Sequence, residues 1–135
     1  MQPFPAGLLT PVGMAVANPA FADRDAQSRF TSSAYHGTVF WSWQHAVFAA
    51  GLERQISRAD VPQALRSRLV SARSQLWSAI EASRSLRTSE LWTWSFVDGR
   101  FRAEPFGQQG AHADESNAAQ LWSTVFLALH PQEVR

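Results

Sequence analysis

From Thr38 to Ile56 apolar residues recur at helical spacing and on nearly every side, with Val39, Phe40, Trp43, Val47 and Ala50 joined by Phe48, Ala49 and Leu52. Such a pattern predicts a helix packed on several sides. A second helix is predicted from Asp60 to about Leu86, because Asp60 stands at N-cap spacing before Gln63, with Pro62 in the first turn. Its apolar seam is narrow, comprising Leu65, Leu69, Leu76 and Ile80 with Trp77 beside it. Arg66, Arg68, Arg73, Glu81 and Arg84 take the other face. This helix is therefore expected to be half solvated and to lie outside the first, the two forming a helical hairpin.

The period then changes from helical to two. In LWTWSFVDGRFRAEPF, Trp92, Trp94 and Phe96 fall on one side and Leu91, Thr93 and Ser95 on the other, around Asp98 and Gly99. That alternation predicts a β-hairpin, and Asp-Gly accepts the positive φ angles of a type I′ turn. After a polar loop, a last helix is expected from about Asn117, carrying Leu121, Trp122, Val125 and Leu129 before Pro131. Residues 1–33 hold the turn-forming stretches PFPAG, LTPVG and ANPA and are read as mostly loop. A loop of that length usually signals function or a missing context.

Composition narrows the function classes. The chain has 135 residues, 45% of them hydrophobic and 17% charged, the profile of one globular domain. Twelve basic and eleven acidic residues give a formal charge of +1. They are scattered without a basic stripe, so neither nucleic acid nor an anionic membrane is expected as a partner. No run is long and apolar enough to span a bilayer. Pro11, Gly13 and Pro19 break up a would-be signal sequence that also lacks an N-terminal positive charge, leaving the cytoplasm as the expected compartment. Cysteine is absent, which excludes disulfides and thiolate ligation. Six Trp and nine Phe, by contrast, exceed what a small core requires.

Three polar clusters are candidates for chemistry. Tyr35, His36 and Gly37 precede the first helix, where free backbone N–H groups can bind ligand oxygens, and Trp41 and Trp43 follow at once. The same aromatics also suit a buried core. Glu90 stands at the junction between the long helix and the aromatic hairpin, a position from which a scaffold can present a carboxylate, although a solvated edge residue fits it too. His112, Asp114 and Glu115 form a loop cluster with a single His, which suits helix capping better than a metal, and no metal is expected. There is no glycine-rich phosphate loop and no G-x-S-x-G elbow, so no nucleotide cofactor and no serine nucleophile are expected.

The segment YHGTVFWSW, Tyr35 to Trp43, resembles the Tyr-His-x-Gly-Thr-Val-Trp-Pro-Trp signature of glycogen-debranching-type glucosidases, members of the six-hairpin glycosidases. In the same order, GLLTPVG and ANPAF look like the loop before that signature. TSELW looks like the stretch bearing the family's catalytic base, and SNAAQLWSTVFLAL resembles its closing helix. The resemblance spans essentially the whole chain. It implies a mainly α fold, the C-terminal part of an (α/α)6 toroid with one small β-hairpin, and an inverting glycoside hydrolase acting on oligosaccharides. Glu90 would be the general base, with Glu115 as the alternative, and Tyr35, His36, Trp41, Trp43 and Trp92 would bind substrate. Ser42 stands where the family has proline, one residue is missing between His36 and Gly37, and the family's general acid lies upstream of the matched region. The resemblance therefore implies an incomplete enzyme, with the upstream part of a split glycosidase as partner. A non-catalytic helical carbohydrate-binding or scaffold protein is the other expectation.

Overall fold

The computed structural model describes residues 1–86 and 89–107. Two short strands, β1 (Leu9–Thr10) and β2 (Gly13–Met14), form an antiparallel pair, and a short helix α1 (Arg24–Arg29) follows. Strand β3 (Phe40–Trp41) runs directly into helix α2 (Ser42–Ile56), which packs on α3 (Gln63–Ala82). Strands β4 (Leu91–Val97) and β5 (Arg100–Pro105) form a hairpin, and β3 pairs with β4 to make an antiparallel sheet of order β3-β4-β5.

The mainly α expectation is overturned: the described residues form an α+β arrangement with two antiparallel sheets as well as three α-helices, and no ring of helical hairpins is present among them. The decisive local difference is at Phe40–Trp41. A short run of buried apolar residues is compatible with either helix or strand by periodicity alone. Here Thr38 to Trp41 are β-branched or aromatic residues that favour a pleated surface, and Leu91 and Trp92 supply the partner strand. Residues 1–33, read as mostly loop, carry β1, β2 and α1 and are otherwise irregular. The LTPVG turn closes the β1-β2 pair, with the Thr10 hydroxyl donating to Gly13 O (2.8 Å) and accepting from Val12 N (3.2 Å).

The α2–α3 hairpin is present, with its start moved. Val61 precedes Pro62, and a residue before proline is pushed out of helical φ/ψ, so the helix opens at Gln63 rather than at Asp60. Asp60 instead pairs with Arg58. The turn is fastened by Arg66, whose guanidinium donates to the carbonyls of Ile56, Arg58 and Val61, at the end where α2 has unsatisfied C=O groups. Arg73, read from sequence as surface, reaches both carboxylate oxygens of Glu53 from one nitrogen, at 3.0 and 3.2 Å.

Helix α2 is not packed on all sides: Ser42, His45, Ala46, Ala49 and Leu52 are buried, whereas Val47 is 60% and Phe48 39% exposed. Ala46 and Ala49 let α3 approach closely, and with Leu52, Leu76, Ile80 and Met14 they form one core cluster. A second cluster joins Val12, Ala15, Phe40 and Trp92, and a third joins Val39, Trp41, Leu91 and Phe106. The last two lie on opposite faces of the β3-β4-β5 sheet, since adjacent residues of a strand point opposite ways. The hairpin turn is as predicted, with Asp98 at φ 51° and Gly99 at φ 72°. No described helix is long and apolar enough to cross a membrane.

Candidate functional site

The loop before β3 is folded back by three backbone hydrogen bonds: Ala34 N to Thr31 O (3.3 Å), Gly37 N to Ala34 O (2.8 Å) and Thr38 N to Thr31 O (3.1 Å). The Thr93 hydroxyl donates to Ser32 O and ties this loop to β4. Gly37 is required here, because a Cβ on it would sit 1.9 Å from the Thr31 carbonyl oxygen. Gly37→Ala is expected to push that oxygen away and lower stability by about 1–3 kcal/mol, read as a shifted urea midpoint.

This fold-back sets Tyr35 against Trp41, ring centroids 4.9 Å apart at 69°, and against Phe106 at 6.3 Å and 72°. His36 stacks on Trp41 at 5.7 Å and 17°, and Trp43 meets Trp41 edge to face at 6.2 Å. Edge-to-face contacts match the positive rim of one ring to the negative face of another. Tyr35 and Trp43 are half-buried, Trp41 is buried and His36 is exposed, so the group runs from the core to the surface.

Glu90 lies at the inner end of this group. It is 3% exposed, and Oε1 accepts a hydrogen bond from the Tyr35 hydroxyl at 3.3 Å. Its other oxygen, Oε2, is buried without a hydrogen-bond partner. The Glu90 carbonyl accepts from Ser42 N at 2.8 Å, carrying the β3-β4 pairing one residue beyond the strands. Among the described residues Glu90 is the one buried carboxylate. A carboxylate with one oxygen held and the other unpartnered has the capacity to accept one more hydrogen bond, from a hydroxyl or a water, and the neighbouring rings carry flat apolar faces.

The structure thus brings together Tyr35, His36, Trp41, Trp43 and Glu90, and it places Trp92 elsewhere. Trp92 follows Leu91 on β4 and so turns to the opposite face, where it is fully buried, stacks on His45 (5.1 Å, 24°) and donates from Nε1 to Val12 O at 3.2 Å. Glu115, with His112 and Asp114, lies outside the described residues, as does the helix expected from Asn117. Sequence reasoning missed Phe106 and Ser42. The hairpin register could have found the first: Trp92 pairs with Pro105, so Phe106 falls opposite Leu91, on the face of Trp41. Ser42 had no signal beyond its place beside Trp41.

No group of three or more His, Asp or Glu capable of holding a metal occurs among the described residues. An apolar cavity of about 230 Å³, lined by Met1, Leu8, Leu9, Met14 and Phe48 among others, does not include Glu90 or its aromatic neighbours. The chain matches no family model, and neither a curated protein nor a solved structure is detectably similar to it.

Proposed function

We propose that Glu90 and the aromatic group around it form part of an oligosaccharide site of the inverting glycoside-hydrolase type, with Glu90 as the carboxylate that activates water. The observation that carries this reading is the state of Glu90: buried, fixed by Tyr35 through one oxygen, unpartnered at the other, and flanked by aromatic rings that extend to the surface. In this reading Tyr35, Trp41, Trp43 and His36 supply the aromatic faces that a sugar ring contacts. The inverting mechanism requires a second carboxyl group roughly 6.5–9.5 Å away to protonate the leaving oxygen. That acid is sought outside the described residues, in Glu115 or in the upstream part of a split enzyme.

The standing of Glu90 as the one buried carboxylate among the described residues favours a second reading, a non-catalytic carbohydrate-binding protein. Titration of the full chain with maltotetraose, followed by tryptophan fluorescence, tests what the two readings share. A saturable shift is expected, with affinity about tenfold lower in Glu90→Gln, since a hydrogen bond to a charged group contributes about 1.5–3 kcal/mol. A flat titration of folded chain rejects both readings. Release of reducing sugar on coexpression with the upstream segment separates the enzyme from the binding protein.

A further inference from the structure

The apolar cavity of about 230 Å³ beside α2 lies apart from the Glu90 group, and both methionines of the chain, Met1 and Met14, line it. Its walls keep their backbone polar groups engaged within the protein. Leu9 N donates to Gln2 O (3.4 Å), Gly7 N to Pro3 O (2.8 Å), Phe4 N to Leu9 O (2.7 Å) and Ala15 N to Leu8 O (2.8 Å). The Asn18 side-chain amide donates to Gly7 O at 2.9 Å, and Met14 N donates to His45 Nε2 at 2.8 Å. Phe48 lies within α2, whose hydrogen-bond ladder takes up its backbone groups. Gly7 lets the N-terminal turn close on Gln2, because a Cβ there would sit 2.3 Å from Gln2 O. The cavity is thus shaped by bonds that need no ligand.

Walls of this kind select their occupant. A buried water needs about two to four polar partners, and here those partners are already engaged. Apolar cavities of about 150 Å³ stay dry and take up benzene. At about 230 Å³ this one has room for a single ring carrying a short alkyl chain. An ion would lose its hydration there without compensation. Gln2, the one polar side chain among the described lining residues, is exposed. The two methionines are flexible thioethers that adapt to an occupant and make favourable contacts with an aromatic ring. Met1 and Phe48 are 37% and 39% exposed, so a ligand enters on their side without unfolding the chain.

We infer that this cavity is a binding site for a small neutral hydrocarbon, of the bulk of an alkylbenzene, entered beside Phe48. It is a second site, independent of the carbohydrate reading of Glu90, and the two linings share no residue. Occupation also removes apolar surface of Met1 and Phe48 from water, which favours the bound state.

Toluene and sodium benzoate share a ring and differ in charge, so together they test the site and its ligand class. The full chain labelled with ¹³C-methyl methionine reports on it directly, because both methionines line the cavity. Both methyl resonances, assigned by the loss of one in Met14→Leu, are expected to move saturably with toluene and to stay in place with benzoate. Toluene should also raise the urea unfolding midpoint, as a ligand of the folded state does. Phe48→Glu is expected to bind toluene about tenfold or more weakly, since an apolar occupant would strip water from the new carboxylate, while Phe48→Leu keeps its affinity. Methionine resonances of folded wild type that ignore toluene, or undiminished toluene binding by folded Phe48→Glu, overturn the site. Benzoate bound as tightly as toluene overturns the neutral class. Resonances that move with protein concentration alone would show the cavity filled by a second copy of the chain, which overturns the proposal as well.

Discussion

Trp92→Ala is expected to lower the unfolding free energy by about 3–5 kcal/mol, the range for emptying a large buried aromatic site. Trp92 is fully buried between Phe40 and His45, and its indole N–H supplies the Val12 carbonyl with a donor. Truncation opens a cavity at the meeting point of the β1-β2 turn, β3 and α2, and leaves that carbonyl without its partner. Against a typical stability of about 5–15 kcal/mol, such a loss leaves little margin. Urea unfolding followed by far-UV circular dichroism measures it, with Trp92→Phe expected to lose less because it refills most of the space. Maltotetraose affinity of the folded Trp92→Phe variant should equal that of the wild type. Lost affinity with stability intact would place Trp92 in contact with the ligand after all.

Lowering the pH from 6.5 to 4 is expected to remove about 3 kcal/mol of stability through His45 alone. His45 is fully buried, and burial holds its pKa down from 6.5 to about 4, partly opposed by its hydrogen bond to the Trp41 carbonyl. Its tautomer follows from its neighbours. Met14 N–H donates to Nε2 at 2.8 Å, so the proton is on Nδ1, which donates to Trp41 O at 2.7 Å. Protonating Nε2 would set two donors face to face. The folded pKa lies below the unfolded one, so the unfolded chain binds more protons between these values. The contribution is therefore complete above pH 6.5, falls as pH drops towards 4, and changes no further below that. Carboxylates titrate near the lower limit as well, so the measurement is the difference between wild type and His45→Gln in urea unfolding at pH 7, 5.5 and 4. The difference should shrink as pH falls, and a constant one would show that His45 is not neutral in the fold.

Where the sequence spoke through local rules, the structure agrees. The Asp98-Gly99 turn, the alternation of Trp92 and Trp94 against Leu91, and the antiparallel pairing of two long helices all depend on a few neighbouring residues. What misled was a run buried for non-local reasons. Val39, Phe40 and Trp41 are apolar because Leu91 and Trp92 cover them from fifty residues away, and no periodicity within the run distinguishes that from a helix. The apolar ring around α2 misled in the same way, since Val47 and Phe48 are apolar yet exposed. The Glu90 group was half legible. Polar aromatics crowded before a helix, and a carboxylate before a hairpin, drew notice separately. Only the loop that folds Tyr35 back onto Glu90 shows that they meet, while the β3-β4 register turns Trp92 to the face of Phe40.

The hydrogen bond from Tyr35 to Glu90 closes a separation of 55 residues, and the whole α2–α3 hairpin lies within the loop it closes. Local helix contacts form early, while long-range pairings must first overcome the entropy of loop closure. Loop-closure entropy thus favours forming the Glu90 group once the α2–α3 hairpin has shortened the span between Tyr35 and Glu90. Any partner that recognises the assembled aromatics therefore reads the completeness of the fold as well as its chemistry.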